Sequence, residues 1–288
     1  MTRLTDLVEL TRAPAAFSIP GDAWSGAAHA GSGARGWAMP LASTCLYWSG
    51  MAFNDWCDRR VDAEERPERP IPSGRVAPTA ALAVAVGLGA AGVGFSALLG
   101  GRSALAISVP LAAMVVTYDA VAKDADLGPL VMASTRGLDV LLGAHADPTG
   151  AWRPALAMTA HTAGLTWLSR GEVHGTRPQI AAAVTAGTAA VAAATAHAAW
   201  HDPTTRLPGR LAGVALASAY AGVVGRAQAR AALDPSAAAA RTATRTGIGG
   251  FALLQGAWLA RRGRLVAAAA VVGAGPAFRT LSRRWSPT

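Results

Sequence analysis

The residues best suited to chemistry form one acidic segment, Asn54-Asp55-x-x-Asp58-x-x-x-Asp62. If this segment is helical, its three aspartates stand at i, i+3 and i+7 and share one face. Three carboxylates on one face repel one another unless a cation joins them. Mg²⁺ suits such a set because it prefers carboxylate, water and phosphate oxygens. The segment therefore predicts a Mg²⁺ site, and a solvated acidic helix end is the alternative.

A basic, proline-rich run follows, Arg66-Pro-Glu-Arg69-Pro-Ile-Pro-Ser-Gly-Arg75. Pro fixes the backbone and disfavours helix, so the run predicts a stiff loop. The loop presents Arg66, Arg69 and Arg75 close behind the carboxylates. Because Arg can fork to phosphate oxygens, the loop is a candidate phosphate-binding element. An ordinary basic loop at the inner face of a membrane is the alternative.

The composition indicates that these residues belong to a membrane protein. Hydrophobic residues make up 52% of the chain and charged residues 15%, whereas a soluble domain carries about 25% charged residues. A net charge of +9 would suggest nucleic acid as the partner of a soluble protein. Here we expect membrane lipid and no nucleic acid, since basic loops on one side of a membrane explain the charge.

Apolar stretches of about 17–25 residues, the length of a membrane-spanning helix, recur along the chain. The predicted spans are 7–29, 37–54, 80–99, 103–121, 128–145, 153–169, 178–200, 209–227, 243–260 and 264–281. The last two form either two spans or one span with an interfacial helix. The prediction is one all-α, polytopic membrane domain of nine or ten spans over residues 1–288.

The distribution of charge predicts the orientation. With the N-terminus in the cytosol, most of the 26 Lys and Arg residues lie on the cytosolic side, as in most membrane proteins. The cluster Arg261, Arg262 and Arg264 is the exception. The longer polar loops fall on the same side: 54–78, 122–127, 170–178 and 228–242. We therefore expect an active site at the cytosolic face of a bacterial plasma membrane.

The acidic segment and the basic run together, from Asn54 to Arg75, resemble the first Asp-rich signature of the UbiA superfamily of membrane prenyltransferases. The resemblance implies a nine-span helical bundle that covers nearly the whole chain. It also implies Mg²⁺-dependent transfer of an isoprenoid from a prenyl diphosphate to an acceptor.

Two further segments resemble parts of that family. Arg12 lies near the cytosolic end of the first span, where family members carry an Arg close to the diphosphate; a snorkelling Arg is the alternative. Tyr118-Asp119-x-x-x-Lys123 is similar to the family's Tyr-x-x-x-x-Lys segment, whose Lys faces the diphosphate. An ordinary charged helix end is the alternative here.

The chain departs from the family pattern after the sixth span. The usual second Asp-rich motif is replaced by Ser169-Arg170-Gly171-Glu172-Val173-His174-Gly175. Glu172 is then the candidate ligand for a second Mg²⁺, with His174 as a further candidate. Arg170 is a candidate to bind the diphosphate. A solvated Glu172 is the alternative. The segment resembles a divergent bacterial subgroup, which leaves the acceptor open.

Two charged residues, Arg136 and Asp139, fall within the fifth predicted span. Charges at membrane depth are costly and usually face a cavity or one another. Spaced three residues apart, they form either a mutual ion pair or part of the wall of an acceptor pocket.

We therefore predict a Mg²⁺-dependent prenyltransferase that uses a prenyl diphosphate and a small aromatic or other electron-rich acceptor. A catalytically silent member that binds lipid diphosphates, or acts as a scaffold, is the first alternative, and a transporter is the second. The predicted catalytic residues are Asp55, Asp58, Asp62 and Lys123. The predicted substrate-binding residues are Arg12, Asn54, Arg66, Arg69, Tyr118, Arg136, Asp139 and Arg170. The predicted metal ligands are Asn54, Asp55, Asp58, Asp62 and Glu172.

Overall fold

The computed structural model describes residues 3–274, and every regular element within them is a helix. The α-helices are α1 Leu4–Leu10, α2 Pro20–Ala30, α3 Gly33–Ala38, α4 Pro40–Glu65, α5 Pro78–Thr117, α6 Gly128–Gly143, α7 Trp152–Ser169, α8 Pro178–Trp200, α9 Leu207–Tyr220, α10 Arg226–Leu233, α11 Ala237–Arg261 and α12 Leu265–Ala274. The predicted all-α bundle is confirmed. The last predicted span, 264–281, lies partly outside the described residues.

The first predicted span, 7–29, is not one continuous helix. Its helices α1 and α2 are separated by a 3₁₀ segment, Ala13–Ser18. The break begins at Arg12, the one non-glycine residue with positive φ (46°) among residues 3–274. Pro20 then begins α2, in the first helical turn, where the missing N–H of proline is not needed. The break leaves Arg12 at a corner of the chain, where its side chain reaches α4.

Helix α5 contains two membrane spans, as predicted, because the chain reverses within it. Gly101 interrupts the helix with φ 60° and ψ −143°, a conformation that glycine adopts readily. Both halves contact the same level of α4. Ser49 donates a 2.7 Å hydrogen bond to the carbonyl of Ala85, and a Cβ on Gly50 would lie 2.8 Å from Val115 Cγ1. The two halves of α5 therefore form a hairpin against α4.

Small residues bring α2 and α6 into backbone contact. A Cβ on Gly26 would lie 1.8 Å from the carbonyl oxygen of Val140, and a Cβ on Gly143 would lie 1.8 Å from that of Ala23. Close approach at glycine is how helices associate in lipid, where packing drives association. The contact holds α6 firmly against α2 in the middle of the bundle.

Three stretches of the described residues are by themselves long and apolar enough to cross a membrane: Pro78–Ala122, Pro178–Trp200 and Leu207–Leu233. The first of these holds the two spans of the α5 hairpin. Helices such as α6 and α7 carry more polar residues, and these point into the bundle. Asp139 and His161, for example, are only 5% and 3% exposed. Helices α6 and α7 therefore carry polar residues in the interior of the bundle.

Candidate active site

The acidic face predicted from the sequence forms on a single helix. Helix α4 continues to Glu65 and ends at Arg66, which precedes a proline and is disfavoured in helix. Asp55, Asp58 and Asp62 therefore share one face. Asp55 and Asp62 are buried, at 4% and 3% exposed.

Two arginines hold these buried carboxylates. Arg69 Nη1 lies 2.6 Å from Asp62 Oδ2 and 3.3 Å from Asp55 Oδ1. Arg12 Nη2 lies 2.9 Å from Asp55 Oδ1 and 3.3 Å from Asn54 Oδ1. One arginine comes from the proline-rich loop and the other from the break before α2. The structure thus brings Arg12 and Arg69, both predicted as substrate-binding residues, to the acidic face.

The other two arginines of the loop are placed differently. Arg66 Nη1 lies 4.0 Å from an oxygen of Asp62. Arg75 Nη1 instead lies 3.0 Å from Asp6 and 2.7 Å from Glu9, both on α1. A hydrogen bond from the backbone N–H of Arg3, together with Arg75, holds the pKa of Asp6 below its usual value. Arg75 therefore ties α1 to the loop, and its guanidinium is not part of the acidic face.

The end of α5 supplies a second wall. A π-helical turn, Tyr118–Ala122, closes α5, and π turns occur frequently at functional sites. Lys123 forms an ion pair with Asp58, and Asn54 Nδ2 donates a 2.9 Å hydrogen bond to Asp119. Both contacts join residues 65 apart, so the two helices run parallel and in register here. Asp119 was not predicted, although it has the same four-residue spacing to Lys123 that Asn54 has to Asp58.

A cavity of about 120 Å³ extends from this wall into the bundle. Tyr118 and Asp119 line one part of it, and Arg136 and Asp139 line another. The rest of its wall is mainly apolar: Ile19, Leu46, Met51, Leu111, Val115 and Met132. The structure thus joins the acidic face to Arg136 and Asp139 through one apolar space.

The two charges in α6 do not pair with each other. Arg136 Nε lies 2.8 Å from Asp22 Oδ2 on α2, and its guanidinium stacks 4.2 Å from the ring centre of Phe251. Asp139 accepts a hydrogen bond from the hydroxyl of Ser43. Its second oxygen is buried and has no hydrogen-bond partner among the described residues. Asp22 was not predicted, because nothing local in the sequence links it to α6.

The turn after α7 contacts the loop that follows α5. Arg170 donates to the carbonyls of Ala125 and, at 3.4 Å, Lys123, so its guanidinium braces the loop after α5. The backbone carbonyl of Glu172 accepts a 2.7 Å hydrogen bond from Arg241. The Glu172 side chain forms no hydrogen bond or ion pair with any described residue. Among residues 3–274, Glu172 thus makes no direct contact with the carboxylates of α4.

The donor atoms on α4 fit a hard divalent cation in type, since they are carboxylate and amide oxygens. Within residues 3–274, no three His, Cys, Asp or Glu side chains lie together as a preformed metal site. The carboxylates of the acidic face are instead neutralised by Arg and Lys. A metal ion would therefore enter this site by exchange with cationic side chains.

Comparison with known sequences gives the family. The sequence model of the UbiA prenyltransferase family matches residues 15–170. A digeranylgeranylglyceryl phosphate synthase from Natronomonas pharaonis is 34% identical over 149 residues, which are 51% of this chain and 54% of that protein. The 33 kDa chain of bacteriochlorophyll synthase from Cereibacter sphaeroides is 53% identical over 38 residues, 13% of each chain. The chain thus spans about half, or less, of the curated relatives that it matches.

Comparison with solved structures extends the likeness to the rest of the bundle. A structure of digeranylgeranylglyceryl phosphate synthase superposes with a TM-score of 0.62 at 16% identity, over 91% of this chain and 99% of that one. A UbiA homologue from Aeropyrum pernix K1 gives 0.59 at 20% identity, over 81% and 96%. At these identities the likeness shows a shared fold. Since the family model covers more than half of the 288 residues, this chain belongs to the UbiA prenyltransferase family.

Proposed function

We propose that the chain transfers a prenyl group from a prenyl diphosphate to a small, electron-rich acceptor, with Mg²⁺ bound at the acidic face of α4. One observation carries the proposal. Carboxylates and three cationic side chains meet beside Asp119, which contacts Asn54 and lines an apolar cavity. The three cations are Arg12, Arg69 and Lys123. The family is generally dependent on a divalent metal.

The charged side chains of the site already pair with one another, so substrate binds by an exchange of ionic partners. Phosphate oxygens attract the Arg and Lys side chains, while a divalent ion attracts the carboxylates. Arg69 and Lys123 are 19% and 26% exposed, so both can turn from carboxylate to phosphate without unpacking the core. The oxygen donors available to the metal lie together on α4: Asn54, Asp55, Asp58 and Asp62. The metal, when bound, neutralises charge on the diphosphate.

The side chains of the site then favour departure of the diphosphate. Arg12, Arg69 and Lys123 stabilise the negative charge that develops on it as the allylic C–O bond breaks. An electron pair of the acceptor forms the new bond to the prenyl carbon, and the proton that the acceptor loses passes to the departing diphosphate. The apolar walls of the cavity hold the isoprenoid tail and exclude water from the reactive carbon. Tyr118 lies at the junction between the phosphate end and the apolar walls.

The far end of the cavity is the proposed site for the acceptor's polar group. Arg136 is already neutralised by Asp22, so this end does not carry the net positive charge that would favour a carboxylate or a phosphate. Asp139 presents an oxygen without a partner among the described residues. We therefore propose a neutral acceptor that donates a hydrogen bond to Asp139, such as a hydroxyl compound.

We place the acidic face on the cytosolic side of a bacterial plasma membrane. The support is the excess of Arg and Lys on the side of the N-terminus. The basic cluster Arg261, Arg262 and Arg264, which is the exception on the opposite side, is partly neutralised. Arg261 Nε and Arg262 Nη1 lie 3.3 Å and 3.6 Å from Oδ2 of the buried Asp202. Burial alone would raise the pKa of Asp202. Hydrogen bonds from Thr204 and the charges of Arg261 and Arg262 instead lower that pKa below its usual value.

The test is prenyl transfer in membranes that contain the expressed protein. Radiolabelled prenyl diphosphates of ten or more carbons are added with Mg²⁺ and a lipid extract that supplies acceptors. Asp58→Asn removes a charge of the acidic face, and Asp126→Asn is the matched control in the exposed loop after α5. A labelled lipid that forms with the wild type and Asp126→Asn, and is lost with Asp58→Asn or a chelator, supports the proposal.

Two other outcomes count against it. Mg²⁺-dependent binding of the diphosphate, without transfer to any acceptor in a broad panel, would favour a silent or scaffolding protein. Absence of Mg²⁺-dependent binding would contradict the assignment of the acidic face as the metal site.

A further inference from the structure

We infer that Asp119 contributes a ligand to the metal–diphosphate complex, in place of the second Asp-rich motif that this chain lacks. The inference rests on the proposed function. It concerns a residue that the resemblance to the family did not single out, since only Tyr118 and Lys123 match the family's segment at the end of α5.

The geometry places Asp119 directly opposite the acidic face. Asn54 and Asp119 form one contact between α4 and α5, and Asp58 and Lys123 form the next. Asp119 and Lys123 thus stand one turn apart just after α5, opposite Asn54 and Asp58, which have the same spacing on α4. Asp119 stands one turn deeper than Lys123 and lines the apolar cavity. It therefore lies between the cationic side chains and the apolar walls, where the bond that breaks is expected to lie.

The charge balance around Asp119 differs from that of its neighbours. Asp55, Asp58 and Asp62 each have an Arg or Lys nitrogen within 4.0 Å. Asp119 is only 6% exposed, and among the described residues it has no such ion pair. Its hydrogen bond comes from the neutral amide of Asn54. A buried carboxylate is stabilised when a cation lies beside it, and a divalent ion that enters with the diphosphate supplies that cation.

The replaced motif offers no carboxylate that contacts the acidic face within residues 3–274. The turn after α7 contains Glu172 as its one acidic residue, and its side chain is not joined to the acidic face by any contact among residues 3–274. Asp119, by contrast, already contacts Asn54 at 2.9 Å. The carboxylate that faces α4 across the site therefore comes from the end of α5.

The test measures metal binding rather than turnover. Mn²⁺ is titrated into the full-length protein in lipid nanodiscs, with inorganic diphosphate present, and bound Mn²⁺ is followed by electron paramagnetic resonance. Asp119→Asn keeps an oxygen that can accept the hydrogen bond from Asn54, so we expect it to fold. Asp124→Asn, an exposed position in the same segment, is the matched control, and Glu172→Gln tests the other candidate ligand. We expect Asp119→Asn to weaken Mn²⁺ binding about tenfold or more and by more than Glu172→Gln does, while Asp124→Asn binds like the wild type.

The outcomes separate this inference from the function on which it rests. If Asp119→Asn binds Mn²⁺ as tightly as the wild type, or if Glu172→Gln is the variant that loses affinity, the inference is wrong and the proposed function stands. If the wild type binds no Mn²⁺ in the presence of diphosphate, the proposed metal site fails and the inference fails with it. Equal thermal unfolding temperatures of Asp119→Asn and the wild type without metal exclude a loss caused by misfolding.

Discussion

Replacing Gly143 by alanine tests the backbone contact that joins α6 to α2. The new Cβ would lie 1.8 Å from the carbonyl oxygen of Ala23, and 2.5 and 2.7 Å from its carbonyl carbon and Cα. Carbon atoms in favourable contact are roughly 3.5 Å apart. All three neighbours are backbone atoms, so no side-chain rotation relieves the overlap. The two helices must therefore separate by an ångström or so.

Two opposing effects set the size of the change. Alanine favours a helix over glycine by at most about 1 kcal/mol. Overpacking costs about 1–3 kcal/mol, and an overlap with backbone on this scale belongs at the upper end. The net result is a loss of about 1–2 kcal/mol. Gly94→Ala is the matched control, because a Cβ there meets nothing within 4 Å and only the helix-propensity gain remains.

The assay is thermal unfolding of both variants in the same detergent. About 1 kcal/mol shifts Tm by about 2–4 °C for domains approaching this size, so Gly143→Ala should unfold several degrees below Gly94→Ala. Movement of α6 also separates Arg136 from Asp22, 2.8 Å apart in the intact protein, so the KM for the acceptor should rise. Equal Tm values for the two variants would refute the claim that this contact holds α6 in place.

Three further predictions concern single side chains. Lys123→Met removes the cation that pairs with Asp58, so kcat in the transfer assay should fall about 10²–10³-fold, and an unchanged kcat would exclude Lys123 from the reaction. Asp139→Asn should raise the KM for the acceptor and leave that for the prenyl diphosphate unchanged; the reverse pattern would place the acceptor elsewhere. Arg75→Met should loosen α1, measured as faster proteolysis of the N-terminal segment, without lowering kcat. The pKa of Asp6 is lowered from 3.8. Its ion pair with Arg75 therefore stabilises α1 above pH 3.8 and is lost as the pH falls through the lowered pKa. Because Arg75→Met lacks this ion pair, its proteolysis rate should depend less on acid pH than that of the wild type.

The acidic face could be predicted because its information is local. The i, i+3 and i+7 spacing of Asp55, Asp58 and Asp62 needs only a continuous helix to become a shared face. The α5 hairpin could also be predicted, since a short polar gap with two glycines separates two apolar stretches of membrane-spanning length. In both cases the deciding residues lie within a few positions of one another.

The rest of the site depends on contacts between distant parts of the chain. The sequence does not show that Arg136 pairs with Asp22 of α2 rather than with Asp139, three residues away. It does not show that Asp119 meets Asn54, because the register between α4 and α5 is set by packing. The break at Arg12 was also missed, since a single left-handed residue leaves no mark on an apolar pattern. Helix propensity and spacing describe one element at a time, and these features belong to pairs of elements.

The ion pairs of the acidic face also bear on the biogenesis of the protein. An unpaired carboxylate in a membrane helix raises the free energy of insertion, by up to about 2.5–3.5 kcal/mol at the helix centre. Arg12 is synthesised before Asp55, and Arg69 follows Asp62 by only seven residues. Both buried carboxylates can therefore be neutralised before the later helices are synthesised. Membrane insertion of this half therefore does not require a metal ion, and the bundle can assemble before the metal binds.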